Sequence, residues 1–304
     1  MTEAAIIALR GLQYAGAVTL LGGPLFLLVS IRREEALRAA GFKPLMLVAA
    51  VVVAIASALA LIAQTVMMAG SWSEAFKPES LSFVVTGTAL GLALLVRAAT
   101  AIAAALLLCI LPPRRILWSL LALFGLIVSA SFAWTGHGAS TEGGGRTIHL
   151  GLDILHAIAA ALWLGALAVL TLVLSRPTML EPRQTHRVLH GFSGLGTLAV
   201  ALLTVTGIGN SWFLVGPDRV ATLPQSLWGQ LLIGKLVLFA LMCGFAAVNR
   251  FRLTPALDRA VDEDAGVASS LVRLRRSILL ETLAGALLLA LVAVMGVQAP
   301  PAAM

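Results

Sequence analysis

Runs of about twenty apolar residues recur along the whole chain, and each could cross the ~30 Å hydrocarbon core of a bilayer as a helix. Of the 304 residues, 60% are hydrophobic and 12% are charged, whereas soluble domains average ~25% charged residues. The sequence therefore predicts an all-α membrane bundle forming a single domain over residues 1–304. The eight predicted spans are residues 9–31, 44–68, 81–111, 116–134, 150–174, 191–214, 227–248 and 277–297.

Basic residues are concentrated in every second gap between these spans. Fifteen of the 21 lysines and arginines lie in the first, third, fifth and seventh gaps, while the other side has only Arg10, Lys77, Arg146 and Arg219. Because basic loops stay in the cytoplasm, both termini are predicted to be extracytoplasmic. The net charge of +7 is explained by basic loop residues that face anionic lipid and the cytosol. No nucleic-acid-binding signature is present in the sequence.

The chain has no motif that would couple it to ATP. Gly229, Gly234 and Lys235 imitate a phosphate-binding loop, but Leu236 stands where Ser or Thr is required. The stretch also lies within a predicted membrane helix with no preceding strand. We therefore predict that the protein is not an enzyme.

Four ionisable residues other than histidine fall within predicted spans: Arg97, Asp153, Lys235 and Glu281. Each costs at least ~2.5–3.5 kcal/mol at a helix centre, so each should be paired or should line a polar cavity. From depth alone, we predict a pair between Asp153 and Lys235 and a second pair between Arg97 and Glu281. A purely structural role for these charges, fixing the helix register, is the alternative.

Histidine and carboxylate side chains converge at the extracytoplasmic end of the fifth span. His149, Asp153 and His156 share one helix face, which Trp163 extends by one heptad. His137, in the preceding loop, should lie near the start of the same helix. Asp153 could ligate a metal beside His156 or orient an imidazole ring. Since imidazole suits copper and zinc, we predict a metal site formed by these histidines and Asp153.

Sulfur could add to this site. Met67, Met68 and Met295 are predicted at the same depth, and thioethers favour Cu(I). Cys109 and Cys243 lie toward the cytoplasmic half without a CxxC spacing, so we expect no disulfide. We interpret them as buried, inert thiols, with a soft-metal exit site as the alternative.

Several stretches in the second half of the chain resemble the CopD/PcoD copper-resistance membrane proteins. Residues 155–165 are similar to that family's His…Leu-Trp-Leu-Gly signature, and the Thr-Gly-His-Gly loop around His137 also fits. Residues 206–212, 234–236, 249–255 and 275–281 resemble the later spans in the same order. The resemblance covers about half the chain, from Trp134 onward, while the first four spans match mainly in number and spacing.

The resemblance implies a multi-pass protein of the bacterial inner membrane that binds copper and moves it across, or passes it along, the membrane. It also implies a periplasmic CopC-like copper-binding partner, supplied as a separate chain. His156 and Trp163 match the best-marked motif, which implies that His156 is the leading copper ligand and His137 the next. Lys235 matches a family position that we interpret as structural.

Two other functions remain open from the sequence. The chain could hold b-type haem, which needs axial histidines at matching depth on facing helices. It could also be a non-catalytic subunit that docks a periplasmic copper chaperone, in which case its buried charges would serve packing only.

Overall fold

The computed structural model describes residues 3–30, 41–136, 141, 143–175, 182–263 and 265–303, with residues 182–193 and 303 described by their backbone only. Within these ranges the chain has no strand, and eight helices are long and apolar enough to cross a membrane. The prediction of an all-α bundle with eight spans is therefore confirmed. The spanning helices are α1 (Glu3–Ser30), α2 (Lys43–Ala69), α3 (Ala89–Ile110), α4 (Arg115–Ala130), α5 (Arg146–Ser175), α6 (Pro182–Leu214), α7 (Leu227–Val248) and α8 (Val267–Met295).

The third predicted span, residues 81–111, is interrupted in the structure. A short helix, Pro78–Gly87, ends before Thr88, whose backbone is extended with φ −129° and ψ 139°. The Thr88 hydroxyl accepts the N–H of Gly91 at 2.9 Å and so caps the start of α3. Because the apolar run continues through this break, hydropathy alone could not locate the true start of the span.

Helix α1 lies at the centre of the bundle and packs against α2, α4, α5 and α8. Glycines permit its close approach to α5. A Cβ atom added at Gly22 would lie 2.7 Å from the Cα of Gly165 and 2.5 Å from the carbonyl oxygen of Ala161. The two backbones are thus in direct contact, a form of helix packing that membrane proteins achieve with small residues.

Both described ends of the chain lie on one face of the bundle, which we name the terminal face. There the Gln298 amide donates to the Glu3 carboxylate at 3.1 Å, and Arg219 donates to the carbonyl of Pro301 at 2.7 Å. The opposite, distal face includes the π-helical turn Asn249–Leu253 and the short helix Thr254–Asp262. The basic loops predict that the terminal face is extracytoplasmic.

The last four spanning helices are less tightly joined than α1 and its neighbours. Helix α7 packs on α8, and α8 packs on α5, but α6 and α7 have little direct contact with each other. A largely apolar cavity of about 570 Å³ lies between them, and we name it the lateral cavity. Because of the lateral cavity, polar side chains within α5–α8 are not packed tightly on all sides.

Candidate functional site

A second cavity, of about 220 Å³, opens among α1 and α5–α8 toward the terminal face, and we name it the terminal cavity. It brings together groups from four helices that lie far apart in sequence. Its main polar lining residues are Arg10, Asp153, His156, Asn210 and Lys235. Two of the predicted ligands, His156 and Asp153, are therefore in one cavity with Lys235.

His156 is held in a single orientation by α6. Its Nδ1 lies 2.9 Å from the Thr206 hydroxyl oxygen, and that hydroxyl donates its own proton to the carbonyl of Leu202 at 2.6 Å. Since Thr206 must then accept from the ring, the proton of the neutral imidazole is on Nδ1. The lone pair on Nε2 is left as the acceptor, the state in which imidazole binds a metal.

Asp153 lies one helical turn before His156 and is also positioned by α6. The Asn210 amide donates to its Oδ1 at 3.2 Å. A Cβ atom added at Gly136 would lie 3.4 Å from its Oδ2, so the residue preceding His137 is beside this carboxylate. The Oδ1 of Asn210 is buried without a hydrogen-bond partner. An orphaned amide oxygen in a polar cavity has unused capacity to hold a cation or a water molecule.

Lys235 completes the polar cluster from α7. Its ammonium lies 3.5 Å from Nε2 of His156 and interacts electrostatically with the Asp153 carboxylate. Lys235 also lines the lateral cavity. The ammonium thus stands beside the nitrogen that a metal ion would use, and it has adjoining space into which it can move.

His149 is placed outside the terminal cavity. It is fully buried, its Nδ1 lies 2.6 Å from the Thr141 hydroxyl, and its ring stacks on Phe213 with centroids 4.7 Å apart. His149 and His156 lie on the same face of α5 but two turns apart. His149 therefore packs against Phe213, whereas His156 lines the terminal cavity. His137 lies outside the described residues.

The three methionines that were predicted as additional ligands do not lie together. Met295 is 8% exposed and lines the terminal cavity. Met67 and Met68 are 60% and 49% exposed, and they lie at the end of α2, which packs on α1 and α3. Of the three candidate sulfur ligands, the structure places only Met295 near His156.

Arg97 is buried in a network of neutral partners. It donates to the Ser131 hydroxyl at 2.9 Å, to the Thr135 hydroxyl at 3.2 Å and to the side-chain oxygen of Gln13. Its guanidinium also lies over the Phe132 ring, 3.8 Å from the centroid. This network joins α1 and α3 to the end of α4, so Arg97 has a packing role at the terminal face.

The predicted pairing of Arg97 with Glu281 is wrong. Glu281 lies toward the distal face, where its Oε2 accepts from the Asn249 amide at 2.9 Å. Both charged groups are 1% exposed, and each has its own set of partners on different helices. The positions of Arg97 and Glu281 within their predicted spans place both residues in the membrane, but they do not show which residues the side chains contact. Trp163 lines a cavity together with Glu281 and packs edge-on against Phe239, with ring centroids 5.9 Å apart.

The two cysteine thiols are less buried than predicted. Cys109 is exposed and Cys243 is of intermediate exposure. Helix α3 packs on α2 and α4 and has an outward side with exposed apolar residues, so Cys109, near its end, is exposed although it belongs to an apolar run.

Two residues of the cluster were missed as functional residues by sequence reasoning. Thr206 and Asn210 belong to the family-like stretch 206–212 and were not predicted as site residues, yet they orient His156 and Asp153. Their spacing of four residues puts both on one face of α6, and that is a signal which could have found them. Among the described residues, no group of three or more His, Cys, Asp or Glu side chains could hold a metal, so this cluster depends on amide and hydroxyl groups as well.

The electrostatic coupling of Lys235 with Asp153 leads to a test by double substitution. Lys235→Ala should lower the free energy of unfolding in detergent by about 1–2 kcal/mol, less than the ~3–5 kcal/mol of a fully buried pair because both groups line a cavity. Adding Asp153→Asn should recover part of the loss, since the stranded carboxylate is removed. Strict additivity of the two single effects in thermal unfolding would contradict the coupling.

Fold and cavity together define a multi-pass membrane protein with a polar, histidine-containing cavity among its first helix and its last four. Residues 1–148 match the family described as "Copper resistance protein D-like, N-terminal domain", and residues 186–295 match "Copper resistance protein D". The chain belongs to the copper resistance protein D family.

Individual relatives agree with this assignment. Copper resistance protein D of Pseudomonas syringae pv. tomato is 37% identical over 99% of this chain and 98% of its own length. Copper transport protein CutJ of Bacillus subtilis is 30% identical over 61% of this chain and 34% of its own length. Inner membrane protein YebZ of Escherichia coli is 29% identical over 85% of this chain and 87% of its own length. No solved structure matches the chain.

Proposed function

We propose that the protein binds a copper ion in the terminal cavity and moves it into, or across, the bacterial inner membrane. The observation that carries the proposal is the hydrogen bond with Thr206 that orients His156. Thr206 holds the Nδ1 proton, so Nε2 presents its lone pair beside Asp153 and Lys235. Family membership supports copper as the ion, and the cluster supplies donors that copper accepts.

The donor set favours Cu(II) in this cavity. His156 offers an imidazole nitrogen, Asp153 a carboxylate and Asn210 an amide oxygen without a partner. Nitrogen and oxygen donors suit Cu(II), whereas Cu(I) prefers sulfur. Met295, in the same cavity, could add a thioether as a weaker ligand. His137 and His149 are the other proposed ligands, and His149 would have to leave its stack on Phe213 to take part.

Lys235 has a specific part in this function. Its ammonium and a copper ion cannot both lie beside Nε2 of His156, because like charges at that distance repel. As copper binds, Lys235 turns toward the lateral cavity, which it already lines. The ammonium therefore keeps the cluster neutralised when no copper is bound.

The predicted topology supports a direction from which copper reaches the cavity. With the terminal face extracytoplasmic, the cavity is accessible to a periplasmic donor, and a CopC-like copper-binding protein is the partner that we propose. The protein then acts as a copper carrier and not as an enzyme.

Metal analysis of a cysteine-free variant tests this proposal. In Cys109→Ser, Cys243→Ser protein, purified in detergent and dialysed with Cu(II), we expect about one copper ion per chain with a Cu(II) EPR signal. Removing both thiols ensures that sulfur-bound copper is not counted. A Soret band would contradict the proposal in favour of b-type haem. Absence of both copper and haem would contradict it in favour of a docking subunit.

A further inference from the structure

A third cavity, of about 290 Å³, lies toward the distal face among the same four helices, and we name it the distal cavity. It is separated from the lateral cavity by the buried ring of Trp163, which lines both. The terminal and lateral cavities in turn share His156 and Lys235. Space for a small ion therefore continues within α5–α8 from one face of the bundle toward the other, interrupted at Trp163.

The distal cavity contains buried oxygen atoms that have no hydrogen-bond partner. Glu281, 1% exposed, uses Oε2 to accept from the Asn249 amide at 2.9 Å. Its Oε1 and the Oδ1 of Asn249 are both buried and unpartnered. The nearby Arg250 is directed to the Thr197 hydroxyl. A buried carboxylate with an unsatisfied oxygen is costly unless a cation comes to it.

A thiol completes this donor set. Cys243 lines the same cavity from α7 and interacts electrostatically with Glu281 on α8. Asn249 begins the π-helical turn Asn249–Leu253 that follows α7, and single π turns within helices occur frequently at functional sites. Thiolate sulfur with two oxygen donors differs from the nitrogen and oxygen donors of the terminal cavity, and the sulfur favours Cu(I).

We propose that Cys243, Glu281 and Asn249 form a second copper site, selective for Cu(I), at the distal end of the cavities. The proposal rests on the copper function proposed for the terminal cavity and adds a site at the distal end of the cavities that is filled by copper already in the Cu(I) state. Cys243 binds as the thiolate and its proton passes to solvent as the ion arrives. The carboxylate of Glu281 neutralises the charge that the ion brings into the membrane.

The test is an anaerobic Cu(I) titration of Cys109→Ser protein in detergent, in which Cys243 is the remaining thiol. We expect an ultraviolet Cu(I)–thiolate charge-transfer band that saturates near one equivalent and is absent after Cys243→Ser. Competition with a Cu(I) chelator should show that Glu281→Gln weakens this binding by about tenfold or more. The matched control, Glu263→Gln at an exposed position beyond α7, should leave the affinity unchanged.

The His156→Ala variant separates the two proposals. If the band and its Glu281 dependence persist in His156→Ala protein, the distal site is independent, as proposed. No band in a protein whose terminal cavity still takes up Cu(II) would overturn the distal site alone. An unchanged Cu(I) affinity in Glu281→Gln protein would also overturn the distal site, because Cys243 would then bind copper without the carboxylate. Failure of both copper species to bind would overturn the proposed function together with this inference.

Discussion

His156→Ala should remove the copper bound in the terminal cavity, reducing it from about one ion per chain to near zero in the cysteine-free background. The substitution deletes the one imidazole that the described residues place in this cavity, and Asp153 and Asn210 then offer oxygen donors only. The measurement is copper content with the Cu(II) EPR spectrum, whose nitrogen hyperfine coupling should disappear. Unfolding by heat should change little, because the ring is only partly buried.

Two companion variants sharpen this result. Thr206→Val keeps the shape of the side chain but removes the oxygen that holds Nδ1 of His156, so copper affinity should fall by about 10–100-fold while binding persists. His149→Ala tests the ring that stacks on Phe213. Full copper retention in His156→Ala, or equal losses in His149→Ala and His156→Ala, would show that the cavity has been assigned to the wrong ligand.

Gly165→Val should prevent stable assembly of the bundle, lowering the free energy of unfolding by about 3 kcal/mol or more. A Cβ atom at this position would lie 2.8 Å from the Cα of Gly22 and 2.9 Å from the carbonyl carbon of Val18. These are backbone atoms of α1, which cannot rotate away as a side chain can. The central helix would have to separate from α5, and the contacts around both would be lost.

Gly151→Val provides the matched control on the same helix. A Cβ atom there meets no other atom within 4 Å, so the substitution adds bulk without a clash and should leave the unfolding midpoint close to that of the wild type. The comparison is made by thermal unfolding and gel filtration in detergent. If Gly165→Val were as stable as Gly151→Val, the close contact of α1 with α5 would be contradicted.

Hydropathy and charge predicted much of the fold because the bilayer imposes strict requirements on a chain. A span must be apolar over about twenty residues with its backbone hydrogen bonds satisfied internally, so eight runs specify eight helices. The predicted limits fail at Thr88, where a side-chain cap starts a new helix within a continuous apolar run. The single-domain organisation and the extracytoplasmic placement of the termini remain predictions.

The candidate site was only partly predictable. Helix periodicity placed Asp153 and His156 on one face of α5, because residues three apart are neighbours on any helix. It placed His149 on that face as well, but the stack on Phe213 takes that ring away from the cavity. Depth brought Lys235 to Asp153, yet it wrongly joined Arg97 to Glu281, because depth does not show which helices are neighbours, and α3 and α8 have little direct contact.

The sequence by itself determined the class of fold and the side of the membrane on which its basic loops are predicted to lie, because both follow from local composition acting against water and lipid. Only the tertiary structure decided which helices face each other. The alignment of Thr206 with His156 and of Asn249 with Glu281 depends on how α5 and α6, and α7 and α8, are rotated and shifted when they pack. Those rotations arise from contacts among residues distant in sequence, such as Gly22 with Gly165, and no local pattern records them.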